Sequence, residues 1–355
     1  MTDAYLNLNA PLMEAVRAIE ASRRRIAVVI SQDNRLLGTL TDGDVRRCLL
    51  AGGTLDTPVS KAMNSNPVTA EIGSPTSYIL DLMRRGNVMA IPLMDQNGRF
   101  KRLVHLSDLD ENPTLRRDAA EFAFAVIMAG GEGKRLRPIT ETIPKPMIDI
   151  GGVPLLERQI HGLANAGLRR IYLSVNYLGH LIEAHFGDGH DFGLEIRYLR
   201  EQEKLGTAGA LSLLPEKPNA PFVVMNGDIL TTSDFSSLYA FHQTYSAMVT
   251  VAAVDYRINI PYGVINAEGV FVRGLAEKPS QRFLCNAGIY AVSPDALDLL
   301  QGTRHCNMTD IVEYCLEKAM PVAVFPVHEY WSDIGTPDDL EKARVIFLEM
   351  DMKDE

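Results

Sequence analysis

Cysteine is scarce in this chain, with four residues, Cys48, Cys285, Cys306 and Cys315, among 355. None stands in paired C-x-x-C spacing, and their density is far below that of a secreted disulfide scaffold. They read as reduced packing residues. No apolar run approaches the length of a membrane span and no basic-plus-apolar leader opens the sequence, so a cytoplasmic location with no membrane partner is expected. A basic stripe with interleaved aromatics is missing too, and the formal net charge of -10 opposes the phosphate neutralisation on which nucleic-acid affinity depends. Nucleic acid is a poor candidate partner.

What is present is an ordinary globular composition, 46% apolar and 23% charged, in a chain long enough for two domains. The first 110 residues repeat themselves. "RRRIAVVISQDNRLLGTLTDGDVRRCLL" is echoed by "GNVMAIPLMDQNGRFKRLVHLSDLDE", with Asp44 and Asp108 in corresponding positions. In each copy an apolar helical pattern (Leu12, Val16, Ile19; Ile79, Leu82, Met83) precedes a strand, a polar turn and a second strand that runs into a polar helix start. Two such units can share one core. The polar stretch "DENPTLRRDAAEF" then reads as a linker, residues 111–122.

The repeat resembles a tandem CBS-domain pair over residues 1–110. In "GTLTDGD" the resemblance implies a nucleotide ligand at Thr41 and Asp44, with Gly38 completing the motif. In "RLVHLSD" it retains Asp108 but places His105 where a threonine would stand. An aspartate can accept two ribose hydroxyls, and equally it can cap a helix; both uses stay open for Asp44 and Asp108.

From residue 123 onward short apolar runs alternate with helical segments. "FAFAVIM", "RIYLSV", "IRYL", "FVVMNGD" and "MVTVAAV" read as strands, Pro154 to Ala166 and Phe235 to Tyr245 as helices, and a terminal helix is expected from Asp338 to about Met350. The expected fold class is α/β: a Rossmann-like, mainly parallel sheet over 123–355, with ligands beyond the carboxyl ends of its strands. At the end of the first strand comes "AGGEGKRLRPITETIPKP". Its glycines let amide groups turn toward an anion, and Lys134, Arg135, Arg137 and Lys145 crowd the same short stretch. Walker spacing is absent, and so is G-x-G-x-x-G.

This stretch resembles the signature of the sugar-1-phosphate nucleotidyltransferases, and the resemblance continues in order through "LGTAGAL", "NGDIL", "YGVI", "EKP", "NAGIY" and "WSDIGTP". Such enzymes direct a sugar-phosphate oxygen onto the α-phosphorus of a nucleoside triphosphate and release pyrophosphate, a task of positioning and charge neutralisation. The resemblance implies catalytic roles for Arg135 and Lys145. It implies nucleotide contacts at Ala129, Gly130, Gly131, Gly133, Glu201, Gly206 and Thr207, sugar-phosphate contacts at Glu277, Lys278 and Asn286, and Mg²⁺ held by Asp228 and Asp333.

Glu201 bears on the base. A carboxylate only accepts hydrogen bonds, and guanine presents two adjacent donors, so GTP is the expected nucleotide and a hexose-1-phosphate its partner. The pairing of these two domains resembles the glucosamine-1-phosphate guanylyltransferases of legionaminic acid biosynthesis, with mannose-1-phosphate the rival sugar. A nucleotide-sensing regulator without catalysis is the alternative from another class. The CBS pair implies a homo-oligomer and a regulatory nucleotide.

Overall fold

The structure, a computed structural model, describes residues 5–22, 25–86, 88–109, 122–300 and 305–354. It divides into two compact units, Met1–Ala119 and Ala120–Glu355. The expected linker lies outside the described residues except for Phe122, which is buried and packs edge-on against Tyr239 at 4.9 Å between ring centroids.

The first unit repeats one topology twice. In copy one, β1 (Tyr5–Leu6), α1 (Leu12–Ala21), β2 (Ile26–Ile30), β3 (Leu36–Thr41) and α2 (Asp42–Leu50) follow one another. In copy two, β4 (Ala70–Glu71), α3 (Thr76–Gly86), β5 (Ala90–Met94), β6 (Phe100–His105) and α4 (Leu106–Leu109) do the same. Each copy forms a three-stranded sheet with one parallel and one antiparallel pairing, and each hairpin shifts register at its far end, at Val29/Ile30 and at Leu93/Met94. The helices form because their apolar residues recur on one face: Leu12, Ala15, Val16 and Ile19 of α1 are all buried. Ile26, Val28, Ala90, Phe100 and Leu103 make one apolar cluster from both copies, the shared core that the repeat suggested.

The second unit is built around a seven-stranded sheet. Along the chain lie β7 (Ala125–Met128), β8 (Asp149–Ile150), β9 (Val153–Pro154), α5 (Leu155–Asn165), β10 (Arg170–Val175), α6 (Gly179–Phe186), β11 (Glu195–Arg200) and α7 (Gly206–Gly209). Then come β12 (Phe222–Asn226), β13 (Ile229–Thr231), α8 (Phe235–Thr244), β14 (Val249–Asn259), β15 (Val264–Glu268) and β16 (Phe271–Ala276). β17 (Ser280–Val292), α9 (Met308–Glu317), β18 (Val322–Val327), β19 (Trp331–Asp333) and α10 (Pro337–Asp354) complete it. The main sheet runs β11-β10-β7-β12-β17-β14-β18, with β17 antiparallel to its neighbours. Its central strands are apolar throughout because helices cover both faces; Ala125, Val126 and Ile127 are completely buried. Two apolar clusters flank the sheet, one including Leu156, Ile160 and Leu163 of α5, the other Met308, Ile311 and Cys315 of α9. β7 lies between β10 and β12, so the segment leaving it emerges at the middle of the sheet.

Candidate active site

The glycine loop and the "PKP" segment fold as one piece. Ala129, fully buried, donates its amide to Ser174 O at 2.8 Å, which ends the strand without fraying. Gly133 then takes a left-handed conformation (φ 61°) that disfavours any side chain. A Cβ there would lie 2.9 Å from Thr140 Cγ2 and 3.0 Å from Lys145 Cβ, so the loop passes directly over the residues that follow it. The Thr140 hydroxyl closes the loop by donating to Gly133 O at 2.9 Å. Leu136, buried at the end of a short 3-10 turn, anchors it to the core.

Lys145 is 8% exposed, and its Nζ donates to Asp228 Oδ2 at 2.5 Å and stands 4.0 Å from Asp333 Oδ1. The two aspartates meet because β13 pairs antiparallel with β19: Ile229 lies opposite Asp333, and Ile334 N donates to Asp228 O at 2.9 Å. Burial pushes the Asp333 carboxyl above the usual carboxylate range, the charge of Asp228 adds to this, and Lys145 and Arg135 oppose it. Asp333 Oδ1 is buried with no hydrogen-bond partner among the described residues, since the lysine at 4.0 Å attracts it from beyond bonding distance. Two converging carboxylates, one with an unsatisfied oxygen, fit a hard divalent cation completed by phosphate or water oxygens. The Arg135 guanidinium lies against Gly335, whose Cβ would stand 3.3 Å from Nη2. The "IGT" glycine thus makes room for the arginine of the opening loop.

Beside these groups is a cavity of about 340 Å³ whose lining includes Gly130, Gly131, Lys145, Glu201, Gly206, Thr207 and Asp228. Glu201 is held at one wall: the buried Ser174 hydroxyl donates to its Oε1, and Leu205 N donates to Oε2 at 3.0 Å. Each oxygen retains capacity to accept from a ligand. At the facing loop Gly206 has φ 80°, and a Cβ on it would lie 2.5 Å from Cys306 O. The amides of Ala208 and Gly209 donate to that same carbonyl at 2.9 Å, and Met308 N donates to the Thr207 hydroxyl at 3.0 Å. The amides of Ala208 and Gly209 are therefore committed to the Cys306 carbonyl, and Gly206 and Thr207 are the loop residues that line the cavity.

Glu277, Lys278 and Asn286 lie at and after the turn into β17, outside the lining of this cavity. Lys278 is left-handed (φ 45°), an uncommon state for a side-chain-bearing residue that aims it away from the strand's regular alternation. Asn286 donates to Tyr290 Oη at 2.6 Å and accepts from Gly288 N at 2.9 Å. In the first unit, Thr41 and Asp44 form a capping box at the start of α2, Thr41 N and Oγ1 donating to Asp44 Oδ2 at 2.8 and 2.7 Å. Both residues also line a cavity of about 740 Å³, together with Arg47, Asn64 and His105. Asp108 accepts from His105 N at 3.0 Å but is exposed and outside that lining. Of the second copy's motif, His105 is in the lining of the cavity and Asp108 is not.

Several residues escaped the sequence reading. Ser174 is an alternating strand position with no motif to mark it. His305 lines the same cavity, and Glu132, which pairs with Lys204, belongs to that lining too. The Lys204–Glu132 salt bridge joins two segments far apart in the chain, so it is legible only in three dimensions. No helix among the described residues is long and apolar enough to cross a membrane.

Comparison with known proteins follows the same division. A CBS-domain profile matches residues 1–51 and 59–112, and the nucleotidyl transferase profile matches residues 124–349. A mannose-1-phosphate guanyltransferase of Kluyveromyces lactis is 34% identical over 242 residues, covering 63% of this chain and 64% of that protein. A mannose-1-phosphate guanylyltransferase of Mycobacterium tuberculosis is 32% identical over 223 residues, covering 61% and 62%. The chain thus spans less than two thirds of the length of these curated relatives. Among solved structures, one described as a glucose-1-phosphate thymidylyltransferase from Bacillus anthracis superposes with a TM-score of 0.51 at 23% identity, over 63% of this chain and 94% of that one, a likeness of fold. With the glycine loop, the buried lysine and the paired aspartates in one site, and with the family profile spanning nearly all of the second unit, the chain belongs to the nucleotidyl transferase family.

Proposed function

We propose that the chain is a sugar-1-phosphate guanylyltransferase that converts GTP and a hexose-1-phosphate into a GDP-sugar and pyrophosphate. The observation that carries this reading is the convergence of Lys145 on Asp228 and Asp333 beside a cavity walled by Glu201. Members of this family typically use a divalent metal ion. Asp228 and Asp333 would hold Mg²⁺, which when bound neutralises phosphate charge.

A sugar-phosphate oxygen forms a bond to the α-phosphorus as the bond to pyrophosphate breaks. Arg135 and Lys145 stabilise the charge on the transferring and departing phosphoryl oxygens, and Lys278 holds the attacking phosphate. Glu277 and Asn286 accept and donate to sugar hydroxyls. Ala129, Gly130, Gly131 and Gly133 bring backbone close to the triphosphate, and Gly206 and Thr207 give the nucleoside a small-residue surface. Glu201 accepts from guanine N1–H and N2–H, donors that uracil and thymine do not present together.

The names of the relatives favour mannose-1-phosphate over glucosamine-1-phosphate, the sugar expected from the pairing of domains. Pyrophosphate release from GTP, UTP, dTTP and ATP, each with Mg²⁺ and a panel containing both sugars, tests base and sugar together. Release with a pyrimidine nucleotide and not with GTP overturns the guanine reading, and no release from any pair favours a non-catalytic regulator.

The cavity at Thr41 and Asp44 supports a regulatory nucleotide in the first unit. Arg47 of α2 lines the same cavity, pairs with Asp44 and puts positive charge beside that carboxylate. Calorimetric titration of the full chain and its Asp44→Ala variant with AMP, ATP and GDP tests this. Heat that survives the substitution unchanged, or no heat at all, overturns it.

A further inference from the structure

Gln159 stands where the pattern of α5 calls for an apolar residue. Leu155, Leu156, Ile160 and Leu163 form the buried stripe of that helix, and Gln159 is 5% exposed among them. Burying an amide group without a partner is unfavourable, so a buried glutamine needs acceptors and donors of its own. Its Oε1 has no hydrogen-bond partner among the described residues, whereas its Nε2 donates twice, to Asn226 O at 3.0 Å and to Ile229 O at 2.5 Å. Those two carbonyls bracket Gly227 and Asp228.

The same turn is fixed from its other sides. Gly227 N donates to Met128 O at 2.9 Å, and a Cβ on Gly227 would lie 2.6 Å from that oxygen, so the turn is pressed against the end of β7. Ile334 N donates to Asp228 O at 2.9 Å and ties the turn to the strand that carries Asp333. Lys145 Nζ holds the Asp228 carboxylate itself at 2.5 Å, and Gln159 of α5 holds the backbone on either side of it.

We infer that Gln159 is a positioning residue: by gripping both carbonyls around Asp228 it sets the direction of that carboxylate toward Asp333 and the bound divalent ion. The inference rests on the proposed role of Asp228 as a metal ligand. An amide is suited to this place because one nitrogen carries two hydrogens and can serve two acceptors at once, while an aliphatic side chain of the same size serves neither. A tie with only a structural role would lower thermal stability and leave metal affinity alone. A positioning role moves metal affinity.

The test uses the full chain and Mn²⁺ as the probe, with free Mn²⁺ read by electron paramagnetic resonance. Gln159→Met, which keeps the volume and loses both donors, should weaken Mn²⁺ binding roughly 10-fold, the usual scale for loss of a group that orients a metal ligand. Half-saturating Mg²⁺ for pyrophosphate release should rise by a similar factor while the KM for sugar phosphate holds. Gln159→Asn keeps the amide but is too short to reach both carbonyls, so an intermediate loss is expected; it also carries the test if the methionine variant fails to fold. Wild-type Mn²⁺ affinity in either folded variant, with only the melting midpoint lowered, overturns the inference. Asp228→Asn is the control: if it binds Mn²⁺ like the wild type, the metal assignment itself is wrong and the inference falls with it.

Discussion

Lys145 Nζ lies 2.5 Å from Oδ2 of Asp228, a contact between the opening loop of the second unit and a strand end far along the chain. The lysine therefore sits among the groups proposed to bind metal and also lines the neighbouring cavity. Asp228→Asn and Asp333→Asn should each abolish turnover while leaving the fold intact, because an amide ligates Mg²⁺ poorly. Lys145→Met should lower kcat by roughly 100-fold or more, the scale for losing one transition-state charge partner. Steady-state kinetics with circular dichroism as the folding control checks all three, and near-normal rates for either aspartate variant at limiting Mg²⁺ would remove the metal assignment.

The Asp333 carboxyl is held above the ordinary carboxylate range, first by burial and then by Asp228. Its folded pKa exceeds its unfolded one, so protonation favours the metal-free fold, and that contribution is lost as pH rises through the raised value. Metal binding needs the ionised form. The apparent Mg²⁺ affinity should therefore fall on acidification before free carboxylates titrate, and the metal-free protein should lose a little stability over the same window as pH rises. Mn²⁺ titrations across pH, repeated with Asp333→Asn, check this; an affinity independent of pH down to the ordinary aspartate value contradicts it.

Glu201 accepts from Ser174 and from Leu205 N, and both contacts keep its acceptor lone pairs toward the cavity. Glu201→Gln should weaken GTP use and relax discrimination against UTP and dTTP, because the amide sets a donor against guanine's donors. Ser174→Ala should give a milder form of the same change, roughly 10-fold, the lower end of what a hydrogen bond to a charged group contributes, because Leu205 N still holds the other carboxylate oxygen. Ratios of kcat/KM for the three nucleotides are the measurement, and unchanged ratios in both variants would take Glu201 out of the base site.

Gly131 and Gly206 separate two uses of glycine. A Cβ on Gly131 would meet nothing within 4 Å, whereas on Gly206 it would strike Cys306 O in a left-handed backbone. Gly131→Ala should leave stability within about 0.5 kcal/mol and raise the KM for GTP if phosphate approaches that backbone. Gly206→Ala should cost roughly 1–3 kcal/mol of stability as well. Thermal melts paired with GTP kinetics distinguish them; equal melting losses in both would contradict the geometry.

His242 is 2% exposed, with Nδ1 2.8 Å from Thr250 Oγ1 and Nε2 3.1 Å from Ser293 Oγ. Burial lowers its pKa to about 4 from 6.5, so it folds neutral. The stability it contributes is present above pH 6.5 and is lost as pH falls through about 4, by roughly 3 kcal/mol in all. Urea unfolding at several pH values should show that slope, and His242→Gln should flatten it. An identical slope in the variant would assign the acid sensitivity to other groups.

Periodicity carried the repeat and most of the elements. Apolar residues spaced one helical turn apart marked α1 and α3, and unbroken β-branched runs marked the buried strands, since both reflect which face meets the core. Ordered motif blocks named the loop residues of the site. Gln159 was invisible to that reading, because a polar residue in an apolar stripe looks like an interruption until its two carbonyl partners are seen. Asp108 shows the limit of motif matching: it corresponds to Asp44 in the repeat, yet Asp44 is in the lining of the first unit's cavity and Asp108 is not.

By itself the sequence determined the two units, the α/β class of the second and the family to which it belongs, because these follow from local spacing and from chemistry that needs particular residue types. Only the tertiary structure decided that Lys145 bridges Asp228 and Asp333, that Gly335 makes room for Arg135, and that Gln159 grips the turn between β12 and β13. Each of these joins segments far apart in the chain. Strand order and register set such meetings, and no local pattern encodes which distant strand ends will lie side by side.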